Sequence, residues 1–125
     1  MPSRRKTRVF KTSRFSRDAK KARISDVDLC EAIAQAMAGQ ADDLGGGVFK
    51  KRLNDNMHRS IVLAKGGRYW VYEYLFAKKD RDNIEPDELV AFRLLVKSYA
   101  GLTDLQIAQL VRAKHFVEIC HDDTA

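Results

Sequence analysis

The sequence predicts an α+β fold in which helices pack on one face of a small antiparallel sheet. The sheet is expected to contain a three-strand meander and an N-terminal strand. Two observations lead to this prediction: apolar and polar residues alternate through the middle of the chain, and apolar residues recur at helical spacing before and after it. Strands and helices that occupy separate parts of a chain are typical of the α+β class.

The first part of the chain predicts a short strand followed by two helices. Residues 8–12 alternate as a strand does, and residues 13–23 carry apolar side chains one helical turn apart. Ser25 and Asp28 then form a capping-box pattern, which starts a helix that is expected to end near Gly39. The predicted apolar stripe of this second helix comprises Cys30, Ile33, Ala34 and Met37.

The middle of the chain predicts the meander. Strands are expected at residues 46–53, 59–65 and 68–78, with tight turns at residues 54–56 and 66–67 between them. The third strand is rich in aromatic residues, which alternation should divide between the two faces of the sheet. Tyr69 is expected on one face, and Trp70, Tyr72 and Tyr74 on the other.

The last part of the chain predicts two further helices and an edge strand. Pro86 suits the first turn of a helix whose apolar spacing continues to Gly101. A capping-box pattern at Thr103 starts a short helix that is expected to run to about Lys114. Residues 115–120 then have the composition of an edge strand.

Composition is that of a single domain, residues 1–125, in which residues 1–7 form a basic tail. The chain has no apolar run near the roughly 20 residues of a membrane span or the roughly 7–15 of a signal peptide, so a cytoplasmic protein without membrane contact is expected. Cys30 and Cys120 lie far apart and outside any CxxC pair, and Cys30 is predicted to be a small buried apolar residue. No metal or cofactor motif is present.

Charge is distributed in blocks within a net charge of +6. Residues 1–23 and 48–81 are basic, whereas residues 24–47 and 82–125 are acidic. A folded surface built from such blocks is expected to present a cationic face, which favours a polyphosphate partner such as nucleic acid. A basic surface that is merely solvated is the alternative.

The candidate site lies on the meander. Lys50 and Arg52 share one face of their strand and are expected on the face that the helices leave uncovered, while Lys51 reaches the rim of the other face. Basic groups at the ends of the next two strands should converge with them on one phosphate-sized concavity, unless all these charges only solvate the sheet. These groups are His58, Arg59, Lys78, Lys79 and Arg81.

The chemistry available to such a cluster is cleavage of RNA. Lysine and arginine side chains neutralise a scissile phosphate and the charge that develops on it. His58 has the side chain to accept the proton of an RNA 2′-hydroxyl, which then attacks the adjacent phosphorus. DNA lacks that hydroxyl, so the reaction would be specific for RNA. The alternative for His58 is an ordinary surface residue.

Several segments together resemble the HigB-like branch of the RelE/ParE toxin superfamily, over residues 8–120. The two most specific stretches are residues 44–52, Leu-Gly-Gly-Gly-Val-Phe-Lys-Lys-Arg, and residues 76–84, Phe-Ala-Lys-Lys-Asp-Arg-Asp-Asn-Ile. Supporting matches are Phe10-Lys11-Thr12, Phe15-Ser16-Arg17 and the helix start at Ser25-Asp26.

This resemblance implies a RelE-like fold and the toxin of a bacterial type II toxin–antitoxin system. It implies a metal-free, ribosome-dependent endoribonuclease that needs no cofactor, cuts messenger RNA in the ribosomal A site and so inhibits translation. The implied partners are messenger RNA on the ribosome and a cognate antitoxin, of the helix-turn-helix HigA-like kind. Family positions that match are Lys50, Arg52, Arg59 and Lys79. With His58 these are the expected catalytic residues, and the expected RNA-binding residues are Lys51, Lys78 and Arg81.

Other functions stay open at this point. Relatives of the RelE type keep an aromatic residue that would fall near Glu85 here, and the connection over residues 53–59 is shorter than the resemblance implies. Both departures favour a non-catalytic protein with the toxin fold, either an inactive remnant or a ParE-like binder of a protein target such as gyrase. The basic N-terminus also suits a general RNA-binding adaptor.

Overall fold

A computed structural model describes residues 7–65 and 68–120. The strands are β1 (Arg8–Thr12), β2 (Asp42–Asp43), β3 (Val48–Leu53), β4 (His58–Lys65), β5 (Tyr69–Ala77) and β6 (Phe116–Ile119). The helices are α1 (Ser13–Lys21), α2 (Asp26–Met37), α3 (Pro86–Ala100) and α4 (Asp104–Arg112). The predicted turn at residues 66–67 and the tail at residues 1–6 lie outside the described residues.

The strands form one sheet in the order β2-β3-β4-β5-β1-β6. The predicted meander is confirmed, because β4 pairs antiparallel with both β3 and β5. The N-terminal strand β1 is also confirmed, and it lies parallel to β5 and antiparallel to β6, which forms the predicted edge. The two-residue strand β2 on the opposite edge was not predicted, since two acidic residues carry no strand pattern.

The α+β class is confirmed, but helices cover both faces of the sheet rather than one. Trp70 and Tyr72 pack with residues of α1 and α2, whereas Tyr69 and Val71 pack with residues of α3 and α4. The reason lies in the central strands, where the run from Ile61 to Leu63 is apolar on both sides of the alternation and fully buried. Strands of this kind need cover on both faces.

The helix ends follow the local sequence as predicted. Ser25 and Asp28 form the capping box of α2, and Thr103 with Gln106 forms that of α4. The buried face of α2 differs from the predicted stripe, because Met37 is 43% exposed. The residues of α2 that are buried are Leu29, Ala32, Ile33 and Ala36.

A β-bulge in β5 changes which aromatic residues share a face. Ile61 lies opposite Tyr74, but its neighbour Val62 lies opposite Tyr72, so Glu73 is the extra residue. As a result Tyr74 packs against Phe92 of α3 and not with Tyr72 as predicted. Glu73 turns toward the same side, since its carboxylate accepts a hydrogen bond from a tyrosine of α3.

Cys30 and Cys120 form a disulfide that ties α2 to the residue after β6. The prediction that Cys30 is only a small apolar residue is therefore wrong. The two residues are 90 positions apart, and only the placement of β6 beside β1 brings them together. Nothing in their spacing in the sequence indicates the pair.

Candidate functional site

Arg52 and Arg59 lie directly opposite each other on β3 and β4 and on the same face of the sheet. Side chains paired in this way have Cβ atoms about 4.5–5.5 Å apart, and like charges there destabilise the strand pair. Neither guanidinium forms an ion pair within the described part of the chain. The fold therefore holds two uncompensated positive charges side by side.

The turn between β3 and β4 holds Arg59 in place. Its Nη1 donates to the backbone oxygen of Asn56 at 2.9 Å and to Oδ1 of the same residue at 2.8 Å. The three turn residues have φ values of 55°, 53° and 71°, in the left-handed region that asparagine and aspartate tolerate best. Arg59 is only 7% exposed, so a positive charge is buried beside uncharged acceptors.

Lys50 lies on the same face as Arg52 but is partly neutralised. Its Nζ lies 3.7 Å from Oδ2 of Asp42, the residue opposite it on β2. The expected uncovered face is wrong for this part of the sheet, because Val48 and Ile61 are buried there against α3. The arginine pair lies farther along the same strands.

Lys51 points to the opposite face, as alternation predicted. Its Nζ donates to the backbone oxygen of Gln40 at 2.9 Å, and the residue is 9% exposed. Burial lowers the pKa of its ammonium group, and the nearby charge of Arg52 lowers it further. Lys51 is thus separated by the sheet from the face that carries the arginine pair.

The segment after β5 lies at the same end of the sheet as the arginine pair. The amide of Lys78 donates to the backbone oxygen of Met57 at 2.9 Å, which joins this segment to the turn between β3 and β4. Lys78 and Lys79 are both exposed there. Both add positive charge to the end of the sheet that carries the arginine pair.

Arg81, which follows β5, links β5 to α3. Its guanidinium forms an ion pair with Glu88, donates to the Tyr74 hydroxyl at 3.2 Å and lies 5.4 Å from the ring centroid of Phe76. The hydrogen bonds to Glu88 raise the pKa of Arg81, and those from Arg81 lower the pKa of Glu88. The charge of Arg81 is therefore largely compensated, unlike that of Arg52.

His58 is not brought to the face of the arginine pair. It lies opposite Leu53, which packs with α1 and α2, so it points to the other side of the sheet from Arg59. The Nδ2 amide of Asn54 donates to its Nδ1 at 3.1 Å, because an amide nitrogen only donates. This hydrogen bond ties the ring of His58 to the turn between β3 and β4.

The profile of one protein family matches residues 7–119, and its description is the RelE toxin of the RelE/RelB toxin–antitoxin system. The chain belongs to this RelE toxin family. That membership confirms the RelE/ParE superfamily and implies an antitoxin partner. No curated protein and no solved structure matches the chain significantly. None of the helices in the described ranges is both long and apolar enough to cross a membrane.

A second cluster, which the sequence did not predict, lies within this RelE-family fold beside the bulge in β5. It contains Glu73, Tyr99 of α3 and Arg14 of α1, all of which line one cavity. The only sequence signal is the single carboxylate inside an otherwise aromatic and apolar strand. Its position in a bulge, which alternation does not reveal, turns that carboxylate toward α3.

Proposed function

We propose that the protein is a toxin that cleaves messenger RNA on the ribosome and thereby stops translation. The observation that carries this proposal is the arginine pair, in which exposed Arg52 faces buried Arg59 and neither has an anionic partner among the described residues. A buried cation without a counter-charge is costly, and a phosphate at this position would supply the missing anion.

The reaction is transfer of a phosphoryl group to the neighbouring 2′-oxygen. The 2′-oxygen forms a bond to phosphorus, the bond from phosphorus to the 5′-oxygen breaks, and a 2′,3′-cyclic phosphate results. The proton of the 2′-hydroxyl leaves as the 5′-oxygen gains one. Arg52 and Arg59 would stabilise the extra charge on the phosphate, and Lys50 and Lys79 would hold the flanking backbone.

The proposed partners are messenger RNA in the ribosomal A site and a cognate antitoxin. The family supplies the antitoxin in general terms. The HigB-like motifs favour an antitoxin of the helix-turn-helix HigA-like kind. The basic face would favour an acidic segment of that antitoxin as its inhibitor. Because the target is the ribosome, the site of action would be the cytoplasm.

The test is expression without the antitoxin, followed by pulse-labelling of new protein and new DNA. Incorporation of amino acid should fall before that of thymidine, and programmed ribosomes should yield messenger RNA with a cut in the A site. The Arg52→Gln variant should cut far more slowly, with Arg112→Gln at an exposed site on α4 as the matched control. Continued protein synthesis with an early loss of DNA synthesis would refute the proposal.

A second candidate is a non-catalytic toxin-fold protein that binds a protein target. The placement of His58 favours it, because the candidate base lies across the sheet from Arg59 and its Nδ1 is in hydrogen-bond contact with Asn54. An early loss of DNA synthesis in the same labelling experiment would indicate a ParE-like target. Normal growth and intact messenger RNA would indicate an inactive remnant.

A further inference from the structure

A cavity of about 530 Å³ lies where β1 ends and α1 begins, between the bulge in β5 and helix α3. This volume is within the range of small-ligand sites in proteins. Its polar groups include Glu73, Arg14, His115 and Tyr99. Nothing in the proposed cleavage reaction uses these groups.

The carboxylate of Glu73 lines this cavity and has no ion pair within the described part of the chain. The Tyr99 hydroxyl donates to its Oε1 at 2.7 Å, which uses one of about four acceptor positions of a carboxylate. Burial raises the pKa of Glu73, and the Tyr99 hydrogen bond and the charge of Arg14 offset only part of that rise. The Tyr69 hydroxyl in turn donates to the backbone oxygen of Tyr99, which links β5 to α3 a second time.

Three aromatic rings line the cavity together with the carboxylate. Tyr74 and Phe92 line the cavity with ring centroids 6.1 Å apart, and Phe116 lines it as well. The exposed Arg14 guanidinium lies 6.0 Å from the Tyr74 ring centroid. A planar ring bound in this cavity would have aromatic side chains, the Glu73 carboxylate and the Arg14 guanidinium among its neighbours.

We propose that this cavity binds a guanine base of the RNA substrate, with Glu73 accepting hydrogen bonds from N1–H and the N2 amino group. This inference rests on the proposed function and adds a base-recognition subsite to it. Guanine presents two donors side by side on one edge, which match the two oxygens of a carboxylate. Adenine, cytosine and uracil each place an acceptor next to their donor on that edge. The lone pair of this acceptor would be repelled by a carboxylate oxygen of Glu73.

The cavity is close enough to the arginine pair to hold a nearby nucleotide. Arg59 lies opposite Phe76, and Glu73 precedes Phe76 by three residues, which spans about 10 Å of strand. Arg81 bridges the two places, because it contacts both Phe76 and the Tyr74 hydroxyl. Arg14 would bind the phosphate of the nucleotide and would repel a cationic side chain of a protein partner.

The first test measures binding of guanosine monophosphate, inosine monophosphate and adenosine monophosphate to the purified protein by NMR titration. Inosine lacks only the N2 amino group. Guanosine monophosphate should bind roughly 10–100-fold more tightly than either of the others, and Glu73→Gln should abolish that preference. The matched control is Glu31→Gln, an exposed carboxylate on α2, which should keep it.

A second variant guards against a folding defect. Tyr99→Phe removes the hydrogen bond to Glu73 but keeps the ring and the carboxylate, so it should weaken the preference for guanine without removing it. Equal binding of the three nucleotides to the folded wild type would overturn the subsite. So would tighter binding of N-acetyl-arginine amide than of guanosine monophosphate, since it would assign the cavity to a protein side chain.

These outcomes are separate from those of the proposed function. Cleavage on programmed ribosomes that does not depend on a guanine, in both wild type and Glu73→Gln, would overturn the subsite and leave the nuclease. Selective binding of guanosine monophosphate by a protein that cuts no messenger RNA would overturn the nuclease and keep the cavity as a guanine site.

Discussion

Removing the charge of Arg52 should stabilise the fold while it impairs cleavage. The side chain lies opposite Arg59 with no ion pair in the described part of the chain, so its charge repels a second cation across one strand pair. Like charges at directly opposite positions cost about 0.2–1 kcal/mol. Arg52 is exposed, and solvent screening places the expected gain of Arg52→Gln near the middle of that range, about 0.5 kcal/mol.

Urea unfolding at low salt would measure this gain, and a parallel assay on programmed ribosomes would measure cleavage. The stabilisation should shrink at about 1 M salt, where the screening length is only about 3 Å. Arg112→Gln is the matched control, because Arg112 lies in the last turn of α4 and favours the helix dipole. It should lower stability by about 0.3–1 kcal/mol and leave cleavage unchanged.

Two outcomes of the Arg52→Gln experiment would contradict this reasoning. If Arg52→Gln lowers the free energy of unfolding, the pair is not repulsive and some group compensates both charges. If the variant is more stable but cuts at the wild-type rate, the repulsion is real but the pair does not serve the phosphate.

Three further perturbations have defined outcomes. His58→Ala should leave cleavage on programmed ribosomes and antitoxin binding near the wild-type level, because His58 lies across the sheet from Arg59, whereas a slowing of roughly 10²–10⁴ would identify His58 as the general base. Dithiothreitol should lower the free energy of unfolding by about 2–5 kcal/mol, because the Cys30–Cys120 bridge closes a loop of 90 residues in the unfolded chain. Arg81 lowers the pKa of Glu88 in the folded protein, so the ionised carboxylate of Glu88 should stabilise the fold above its unfolded pKa. This stabilisation should disappear as the pH falls through the lower folded pKa. Acid titrations of unfolding should show the loss in the wild type but not in Glu88→Gln.

Each of these results has a control. Wild-type cutting by His58→Ala would leave charge stabilisation and positioning as the whole mechanism. Cys30→Ser should be insensitive to dithiothreitol, and a wild type that is equally insensitive would mean that the bridge does not constrain the unfolded chain. If the free energy of unfolding of Glu88→Gln depends on acid pH as that of the wild type does, the ion pair between Glu88 and Arg81 adds no stability.

Local signals in the sequence predicted the elements, and long-range pairing decided what they failed to predict. Ser25 and Thr103 mark helix starts through bonds that span three residues, so their caps are readable from sequence. The bulge at Glu73 depends on the register against β4, and one extra residue reverses the face of Tyr74.

The candidate site divides in the same way. Alternation correctly placed Lys51 across the sheet from Arg52. It also implies that His58 and Arg59 diverge, a consequence that the expectation of one converging cluster overlooked. Which cations would be neutralised depended on neighbours such as Asp42 and Glu88, which come from other elements.

The position of β1 has a consequence for the order of events during synthesis. This strand is made first, yet its sheet partners are β5 and β6, which are made late. Because β6 pairs with β1 as far as Ile119, this edge of the sheet cannot form until residues near 119 have left the ribosome. Contacts between such distant parts of a chain also form slowly. A chain still attached to the ribosome would thus lack the β1–β6 edge of its sheet.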